Sequence, residues 1–223
     1  MKKTILITGV SKGIGHALAT QFLKVGHQVI GTSRSGLIPN ISNKSFKNLS
    51  LDLSKSDSSK TIAEYLDKNE LKIDLLINNA GIGPDLNFAE PEENSFQQTF
   101  EVNTTGTVFF TETCIPFLKI GSKIINISSK MGAIGTCLKT NATAYRMSKA
   151  ALNMYSKILA NRLLNKVTVA TVHPGWVRTS ISNTNGDAPF SPEESAAEII
   201  DFIQSDFKTG IFWSIETRAE MPW

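Results

Sequence analysis

The 223-residue sequence predicts an α/β fold, in which about seven mostly parallel strands form one doubly wound sheet with helices on both faces. Two observations lead to this prediction. Short apolar segments rich in β-branched residues alternate with longer segments of helical periodicity along the whole chain. No internal repeat, linker or low-complexity tract divides them, so residues 1–223 are predicted to form a single domain. Strands separated by helices pair in parallel, and helices then cover both faces of the sheet.

The first half of the chain contains four apolar segments that are predicted as buried strands. Residues 13–26 follow the first of them with apolar side chains at Ile14, Leu18 and Phe22, which is helical spacing, and Gly26 can end that helix. An amphipathic pattern predicts a second helix over residues 58–70. The four strands are expected within residues 3–8, 27–33, 46–54 and 73–81, the third of them ending at Asp52.

The second half continues the alternation. Residues 91–118 are predicted to form one or two helices, because Pro91 suits a first helical turn and the two acids after it suit the positive end of the helix dipole. Further helices are expected at residues 141–157 and at residues 191–204, which begin with a Ser-Pro-Glu-Glu start signal. The remaining strands are expected within residues 121–129, 166–175 and 209–215.

The composition is that of an ordinary globular protein. Apolar residues make up 41% and charged residues 19%, and the formal net charge is only +3, with basic residues scattered along the chain. This pattern argues against a nucleic-acid partner and against a polybasic membrane surface. No apolar segment is long enough to span a membrane, and the apolar start is too short for a signal peptide. Cys114 and Cys137 form neither a disulfide framework nor a metal-ligand spacing, so a cytoplasmic protein without a metal site is expected.

A glycine-rich stretch, TGVSKGIG at residues 8–15, joins the first predicted strand to the first helix. Its glycines are Gly9, Gly13 and Gly15, a spacing of G-x-x-x-G-x-G. Glycine permits a tight turn, and bare backbone lets a phosphate group approach the amides at the start of a helix. The stretch therefore predicts a dinucleotide pyrophosphate site, with a glycine-rich turn that binds no ligand as the alternative at this point.

Tyr145 and Lys149 lie four residues apart within the predicted helix 141–157, so both side chains emerge on one helix face. A free tyrosine has a pKa of about 10, and a cation held beside it favours the phenolate and lowers that pKa. The pair is a candidate acid–base couple for the interconversion of an alcohol and a carbonyl. The alternative is a tyrosine that packs by chance on a lysine stem, which is common at helical spacing.

Four motifs occur in the order that is typical of one family. They are T-G-x-x-x-G-I-G at residues 8–15, N-N-A-G at 78–81, Y-x-x-x-K at 145–149 and P-G at 174–175. Over nearly its whole length the sequence thus resembles the short-chain dehydrogenase/reductase family, which implies a Rossmann-type fold. The stretches YRMSKAALN, HPGWVRT and SPEESA and the terminal MPW look like the branch of C-factor and sniffer-type carbonyl reductases.

The resemblance also implies a reaction and the residues that carry it. The reaction is hydride transfer between a nicotinamide and the carbonyl carbon of an aldehyde, ketone or quinone, or the reverse reaction from an alcohol. Tyr145 would donate the proton, while Lys149 would lower its pKa and bind the nicotinamide ribose. Ser129 would steady the substrate oxygen, with Ser128 as the runner-up. Asn103, a mild misfit within a predicted helix, would support the proton relay, and a polar surface residue is the alternative for it.

The end of the second strand predicts a preference for NADP(H) over NAD(H). An acidic residue near this point binds the ribose 2′-hydroxyl in NAD enzymes of doubly wound folds. Here the segment runs Thr32-Ser33-Arg34 without an acid, and a 2′-phosphate suits the charged fork of Arg34, with Lys12 as a second cation. Solvated surface charges are the alternative for these two residues. Asp52 lies where the family contacts the adenine. The cofactor-binding set implied by the resemblance is Gly9, Ser11, Lys12, Gly13, Ile14, Gly15, Arg34, Asp52, Leu53, Asn79, Ala80, Gly81, Tyr145, Lys149, Pro174, Gly175, Val177 and Thr179.

The resemblance implies self-association and leaves a second function open. Family members often form homodimers or homotetramers through two long helices, which here contain residues 109–118 and 150–164, and both segments carry apolar residues beyond one stripe. The expected partners are therefore copies of the chain and a small-molecule carbonyl or alcohol. The alternative to an enzyme is an NADP(H)-binding signalling or regulatory protein of the C-factor type with little turnover.

Overall fold

The computed structural model describes residues 1–182 and 185–223, in which the strands form one eight-stranded sheet. The strand order is β3-β2-β1-β4-β5-β6-β7-β8, and every neighbouring pair is parallel except β7 with β8. The strands are Thr4–Thr8 (β1), Gln28–Ser33 (β2), Phe46–Ser50 (β3), Ile73–Asn78 (β4), Leu118–Ile127 (β5), Val167–His173 (β6), Ile211–Ser214 (β7) and Ala219–Glu220 (β8). The predicted doubly wound, mostly parallel α/β fold is confirmed.

The described part of the chain forms six α-helices. They are Gly13–Lys24 (α1), Ser58–Lys68 (α2), Glu93–Phe100 (α3), Thr107–Cys114 (α4), Thr143–Arg162 (α5) and Pro192–Gln204 (α6). A π-helical segment, Glu101–Gly106, joins α3 to α4. Helices α1 and α6 cover one face of the sheet, and α2, α4 and α5 cover the other. None of the described helices is both long and apolar enough to cross a bilayer.

Strand β1 shows why the strand segments are apolar at consecutive positions. Ile5 and Ile7 point to the face covered by α1 and α6, whereas Leu6 points to the opposite face. All three side chains are fully buried. Successive side chains of a strand alternate between the two faces, so a sheet covered on both sides needs apolar residues at every position. Burial of each such side chain stabilises the fold by about 1.5–3 kcal/mol.

The strand order reverses at β1, which lies between β2 and β4. The chain winds outward through β2 and β3 on one side and through β4, β5, β6 and β7 on the other. At such a reversal the loops that follow the two central strands diverge, and a crevice opens at the carboxyl ends of those strands. This crevice is the expected place for a ligand in an open α/β sheet.

Three details of the sheet differ from the sequence prediction. Strand β3 ends at Ser50 rather than Asp52, because the Asp52 carboxylate closes a turn instead, accepting hydrogen bonds from the Ser54 amide at 3.1 Å and hydroxyl at 2.7 Å. Strand β5 begins at Leu118, earlier than expected, with an irregular register against β4. The eighth strand, β8, pairs antiparallel with β7 and is only two residues long, too short to leave an alternating pattern in the sequence.

Candidate active site

A cavity of about 1060 Å³ opens at the carboxyl ends of the central strands. Of the residues predicted to bind cofactor or to act in catalysis, only Gly15 and Asn103 do not line it. The predicted residues that do line it are Gly9, Ser11, Lys12, Gly13, Ile14, Arg34, Asp52, Leu53, Asn79, Ala80, Gly81, Ser129, Tyr145, Lys149, Pro174, Gly175, Val177 and Thr179. The fold thus brings together segments that lie far apart in the sequence.

The glycine turn after β1 has a fixed shape. Gly9 has a φ of +73°, a left-handed value that favours glycine, and its amide donates to the Thr32 carbonyl at 2.9 Å. Gly15 meets a different requirement, since a Cβ there would lie 2.3 Å from the Gly9 carbonyl oxygen. Asn79 holds the turn from the end of β4, where its Nδ2 donates to the carbonyl oxygens of Thr8 and Gly9 at 2.9 and 3.1 Å. The Asn79 amide therefore supports the turn as well as lining the cavity.

The first turn of α1 faces the cavity without a side-chain cap. Lys12 precedes the helix and makes no capping hydrogen bond, and no acidic residue lies in the first turn. The amide groups of this turn and the positive end of the helix dipole are therefore available to an anion. The loop after β6 closes over the turn, because a Cβ at Gly13 would lie 3.4 Å from the Thr179 methyl group. This arrangement suits a pyrophosphate.

A smaller hollow lies beside the glycine turn, at the end of β2. It is lined by Ser11, Ser33, Arg34 and Ser35, and the Ser33 hydroxyl donates to the Leu37 carbonyl at 3.2 Å. Arg34 is exposed there. Asp52 stands at the same end of the cavity, where the hydrogen bond from the Ser54 hydroxyl lowers its pKa. An exposed guanidinium beside serine residues suits a phosphate ester better than a ribose hydroxyl.

Tyr145 lies in the first turn of α5 and is 8% exposed. Burial raises the pKa of its phenol to about 12, a side-chain hydrogen bond with Ser129 lowers it in part, and the charge of Asp85 raises it. The phenol is therefore protonated at neutral pH. This differs from the lowered pKa expected from the sequence, because the loss of water disfavours the phenolate more than its neighbours favour it.

Lys149 lies one helical turn after Tyr145 and is 3% exposed. Its Nζ donates to the Ile127 carbonyl oxygen at 2.9 Å and lies 5.7 Å from the centre of the Tyr145 ring. Burial lowers the pKa of the ammonium to about 8. At neutral pH the group is still mostly charged, and a buried cation stands beside a buried phenol. The i and i+4 spacing thus places both groups on one helix face, as expected from the sequence.

The two candidate serines differ in their partners. The Ser128 hydroxyl donates to Asn153 Oδ1 at 2.6 Å and is used within the core. The Ser129 hydroxyl accepts from the Met131 amide at 3.1 Å and caps a short 3-10 turn beside the cavity. Ser129 is also the serine whose hydroxyl acts on the Tyr145 phenol and partly lowers its pKa. The geometry therefore favours Ser129 over Ser128 as the hydroxyl next to the phenol.

Asn103 lies in the π-helical segment behind the cavity wall and is 1% exposed. Its Oδ1 accepts from the Ile82 amide and its Nδ2 donates to the Ile82 carbonyl, both at 2.8 Å, and Nδ2 also reaches the Ser148 hydroxyl at 3.1 Å. A polar surface position, the alternative from the sequence, is therefore wrong. A Cβ at Gly81 would lie 3.3 Å from Asn103 Oδ1 and 3.5 Å from Lys149 Nζ, so a side chain there would crowd Asn103 and contact Lys149.

Glu216, in the loop after β7, holds three parts of the cavity wall and was not predicted from the sequence. Its carboxylate accepts from the Trp176 amide at 2.9 Å and from Lys130 Nζ at 3.1 Å, and it lies 3.1 Å from His173 Nε2. The hydrogen bond with His173 is the main reason why the pKa of Glu216 is lowered to about 2. The stretch SIETRAE around Glu216 contains no motif. Its partners are joined to it only by the fold.

Asp85 is the second residue that sequence reasoning missed. It follows Gly83 and Pro84 in the loop after β4, and those two residues signal only a turn. In the structure it is 1% exposed, and its carboxylate accepts from the first amides of α5, including that of Tyr145. A buried carboxylate at this place has no local sequence signal, because its partners lie about 60 residues further along the chain.

The residues present fit a nicotinamide dinucleotide. The cavity is long enough to join the glycine turn and the hollow at Arg34 to Tyr145, Lys149 and the loop that carries Thr179. Gly15 lies so close to the Gly9 carbonyl that no side chain fits there, and the backbone of the turn packs directly on the start of α1. No group of three or more histidine, cysteine, aspartate or glutamate side chains suited to a metal ion occurs among the described residues.

Known proteins share this sequence pattern and this architecture. The family model described as short chain dehydrogenase matches residues 3–189. The short-chain dehydrogenase anuI of Penicillium roqueforti is 29% identical over 222 residues, covering 89% of this chain and 87% of that protein. The carbonyl reductase Sniffer of D. melanogaster has a TM-score of 0.88 at 26% identity, and each chain is covered completely. A short-chain dehydrogenase/reductase from Burkholderia multivorans, in a structure with bound NADP, has a TM-score of 0.85 at 25% identity, again over the whole of both chains.

The matched segment 3–189 contains all four motifs that suggested the family, from the glycine turn to the P-G segment after β6. The likeness to Sniffer agrees with the sniffer-type branch, while the likeness to C-factor stays a prediction. The chain therefore belongs to the short-chain dehydrogenase family of oxidoreductases.

Proposed function

We propose that this oxidoreductase interconverts a carbonyl group and an alcohol, uses NADP(H), and works as a carbonyl reductase. The observation that carries the proposal is the buried pair of Tyr145 and Lys149, one helical turn apart, in the same cavity as the glycine turn. The Ser129 hydroxyl, which acts on the Tyr145 phenol and partly lowers its pKa, is the third polar group of the proposed site. The structural likeness to Sniffer, a carbonyl reductase, supports the reaction class.

Tyr145 is the proton donor in the proposed reduction. A nicotinamide cofactor, when bound, supplies the hydride. The Tyr145 phenol is protonated at neutral pH because burial raises its pKa to about 12, so its proton is present when the substrate oxygen gains negative charge. The Ser129 hydroxyl donates a hydrogen bond to the same oxygen and stabilises the developing charge.

Lys149 stabilises the phenolate that remains after proton transfer. Its ammonium is the buried cation next to the Tyr145 ring, and a positive charge there favours the ionised phenol. Nζ has three protons, and one of them is directed to the Ile127 carbonyl. The other two are available to a ribose hydroxyl and to a proton relay. Asn103 supports this arrangement by holding Ile82 and Ser148 in place.

The cofactor is NADP(H) in preference to NAD(H). Arg34, with Ser11 and Ser35 beside it, offers donors to a 2′-phosphate, and among the described residues no acid lines that hollow. Lys12 adds a second cation where the glycine turn meets α1. The Burkholderia multivorans relative, whose structure has bound NADP, supports this choice.

The substrate is a small neutral carbonyl compound with an apolar body. The cavity that contains Tyr145 is also lined by Leu86, Met131, Trp176 and Ile181, which offer apolar and aromatic surface. Lys130 also lines the cavity, but its ammonium is paired with the Glu216 carboxylate at 3.1 Å. Aldehydes, ketones and quinones fit this description.

The first test is oxidation of NADPH and of NADH with a panel of aldehydes, ketones and quinones. Tyr145→Phe removes one hydroxyl and little packing, so we expect the variant to fold, to bind NADPH and to lose about 10²- to 10⁴-fold in kcat. Tyr65→Phe on α2 is the matched control and should behave as wild type. Activity of Tyr145→Phe close to wild type would disprove the assignment of the proton donor. Tight NADPH binding without turnover across the whole panel would instead favour the regulatory role of the C-factor type.

The same proposal treats residues 1–223 as one domain; in support, the eight strands of the described residues belong to a single sheet. It places the protein in the cytoplasm, where its two free cysteines, buried Cys114 and exposed Cys137, would stay reduced. It also includes self-association of the chain into a homodimer or homotetramer.

A further inference from the structure

The buried carboxylate of Asp85 lies against the start of the helix that carries Tyr145. Its Oδ2 accepts from the Ala144 amide at 2.7 Å, and both of its oxygens lie 3.2 Å from the Tyr145 amide nitrogen. Asp85 is 1% exposed. A carboxylate that accepts backbone amides in a buried place forms strong, charge-assisted hydrogen bonds.

Helix α5 has no cap of its own. The residue before it, Ala142, has a left-handed φ of 57° and a side chain that cannot accept a hydrogen bond, and the first turn contains no acidic residue. Ala142 and Ala144 are both buried, so water cannot satisfy the first amides of the helix. Asp85, from a different part of the chain, supplies the acceptor that these amides need. Its negative charge also lies at the positive end of the helix dipole.

The loop that carries Asp85 is itself held against the start of α5. The Ala142 amide donates to the Phe88 carbonyl at 3.0 Å, and Asn141 Nδ2 donates to the Leu86 carbonyl at 3.3 Å. On its other side the loop is held by the two hydrogen bonds between Asn103 and Ile82. The position of Asp85 is therefore determined on both sides, and the first turn of α5 takes its position from Asp85.

We propose that Asp85 is a positioning residue for the reaction: it holds the first turn of α5 so that the Tyr145 hydroxyl faces Ser129 and the substrate. This role rests on the proposed reductase function. Asp85 does not line the cavity, so it acts through Tyr145 and not on the substrate. The charge of the Asp85 carboxylate also acts on the Tyr145 phenol. The other groups that face this phenol are the buried ammonium of Lys149, on the same helix, and the uncharged hydroxyl of Ser129.

The experiment compares Asp85→Ala, Asp85→Asn and the control Asp57→Asn. Asp57 is an exposed carboxylate just before α2, paired with Lys60 at 2.6 Å, so its replacement also removes a charge near a helix start. We expect Asp85→Ala to lower kcat by about 10- to 100-fold with little change in the KM for NADPH, because the phenol is misplaced while the glycine turn is intact. Asp85→Asn retains one acceptor oxygen, so its kcat should fall less than that of Asp85→Ala.

Two measurements that do not need turnover accompany the kinetics. Hydrogen exchange of the Ala144 and Tyr145 amides should become faster in Asp85→Ala and stay unchanged in Asp57→Asn. The titration of Tyr145 is followed by the ¹³C resonance of its ring carbon that bears the hydroxyl, assigned with Tyr145→Phe. Its pKa should fall in Asp85→Asn, since a negative charge near the phenol is gone. A role in folding alone would not move this titration.

The outcomes separate the possible failures. Normal kcat and an unmoved Tyr145 titration in folded Asp85→Asn and Asp85→Ala would overturn the role of Asp85. If Asp85→Ala does not fold, Asp85→Asn decides the question by the same two criteria. A wild-type protein without activity would refute the reductase function. If the exchange rates and Tyr145 titrations of the Asp85 variants match those of Asp57→Asn, the Asp85 inference alone is refuted.

Discussion

Burial determines what the two central side chains can do. A phenol without water around it keeps its proton, and burial raises the pKa of Tyr145 to about 12. An ammonium without water around it releases its proton more easily, and burial lowers the pKa of Lys149 to about 8. In this state Tyr145 is an acid and Lys149 is a cation at neutral pH. In the proposed reaction, the protonated phenol supplies the proton that reduction of a carbonyl consumes.

The pH dependence of reduction should report Lys149. The charged ammonium is the active form, and its pKa is about 8, so kcat/KM should be level below that pH and fall above it by about tenfold per pH unit. Lys149→Met should remove this limb together with most of the activity, and Lys157→Met, a replacement on the same helix outside the cavity, should keep it. The measurement is kcat/KM for NADPH-dependent reduction from about pH 6 to 10. A level wild-type profile across that range would contradict the role given to Lys149.

Arg34 should control the choice of cofactor. Replacement by aspartate removes a donor and places a negative charge beside the expected 2′-phosphate, so Arg34→Asp should raise the KM for NADPH by about 10- to 100-fold and that for NADH little. The control Lys44→Asp makes the same change of net charge on an exposed residue outside the cavity. Steady-state kinetics with both cofactors give the answer. A wild-type enzyme with a higher kcat/KM for NADH than for NADPH would refute the preference.

A close packing contact and a set of buried hydrogen bonds hold the elements around the cavity together. At Gly106, within the π-helical segment, a Cβ would lie 1.9 Å from the Leu53 carbonyl oxygen, so this turn packs directly on the loop after β3. Further inside, Asn78 Nδ2 donates to Thr111 at 2.8 Å and to Asn126 at 2.7 Å. These hydrogen bonds join β4, β5 and α4 and favour one register among the parallel strands, because a slipped register would leave buried amides without partners.

Glu216 should stabilise the cavity wall in a pH-dependent way. Its pKa falls from an ordinary 4.5 to about 2 on folding, so the stabilisation is fully present above pH 4.5, decreases as the pH falls and is lost near pH 2. Glu216→Gln should therefore be less stable than wild type by about 1–3 kcal/mol at neutral pH, and the difference should shrink toward pH 2.

Urea unfolding of both proteins at several pH values measures this difference. The matched control is Glu198→Gln, which removes the carboxylate of a surface pair with Arg218 and should change stability by less than about 1 kcal/mol. A difference between Glu216→Gln and wild type that does not change with pH would show that the carboxylate charge is not what holds the wall.

The molecule as a whole presents an apolar surface on α4 and α5. A hydrogen bond from the Tyr155 hydroxyl to Glu112 at 2.8 Å holds the two helices side by side, and Phe109, Met154 and Ile158 are each more than half exposed nearby. Exposed large apolar side chains on neighbouring helices favour association. We expect a dimer or tetramer that uses this surface.

Sedimentation at micromolar concentration tests this expectation. Phe109→Glu should weaken association by at least about 30-fold and shift the chain toward its 24.4 kDa monomer, because a charge replaces a 64% exposed aromatic residue on this surface. Ile120→Glu is the control, since Ile120 is 86% exposed at the start of β5, and it should leave the assembly unchanged. A wild-type protein that sediments only as a monomer would remove the expectation.

Local spacing was enough to predict much of this protein. The alternation of strands and helices, the glycine turn and the shared helix face of Tyr145 and Lys149 all follow from periods of a few residues, which the backbone imposes on any sequence. The boundaries of β3 and β5 differ from the prediction, because hydrogen bonds to neighbouring groups decide where a strand begins and ends. Strand β8 has only two residues, which are too few to show an alternating pattern in the sequence.

Only the tertiary structure determined the state of the site. The phenol of Tyr145 is neutral because the fold excludes water, and no spacing in the sequence shows that exclusion. Ser128 and Ser129 are adjacent in the chain, and their different partners separate them only in three dimensions. Asp85 and Glu216 act on groups at least 40 residues away, so their roles arise from contacts that chain folding creates.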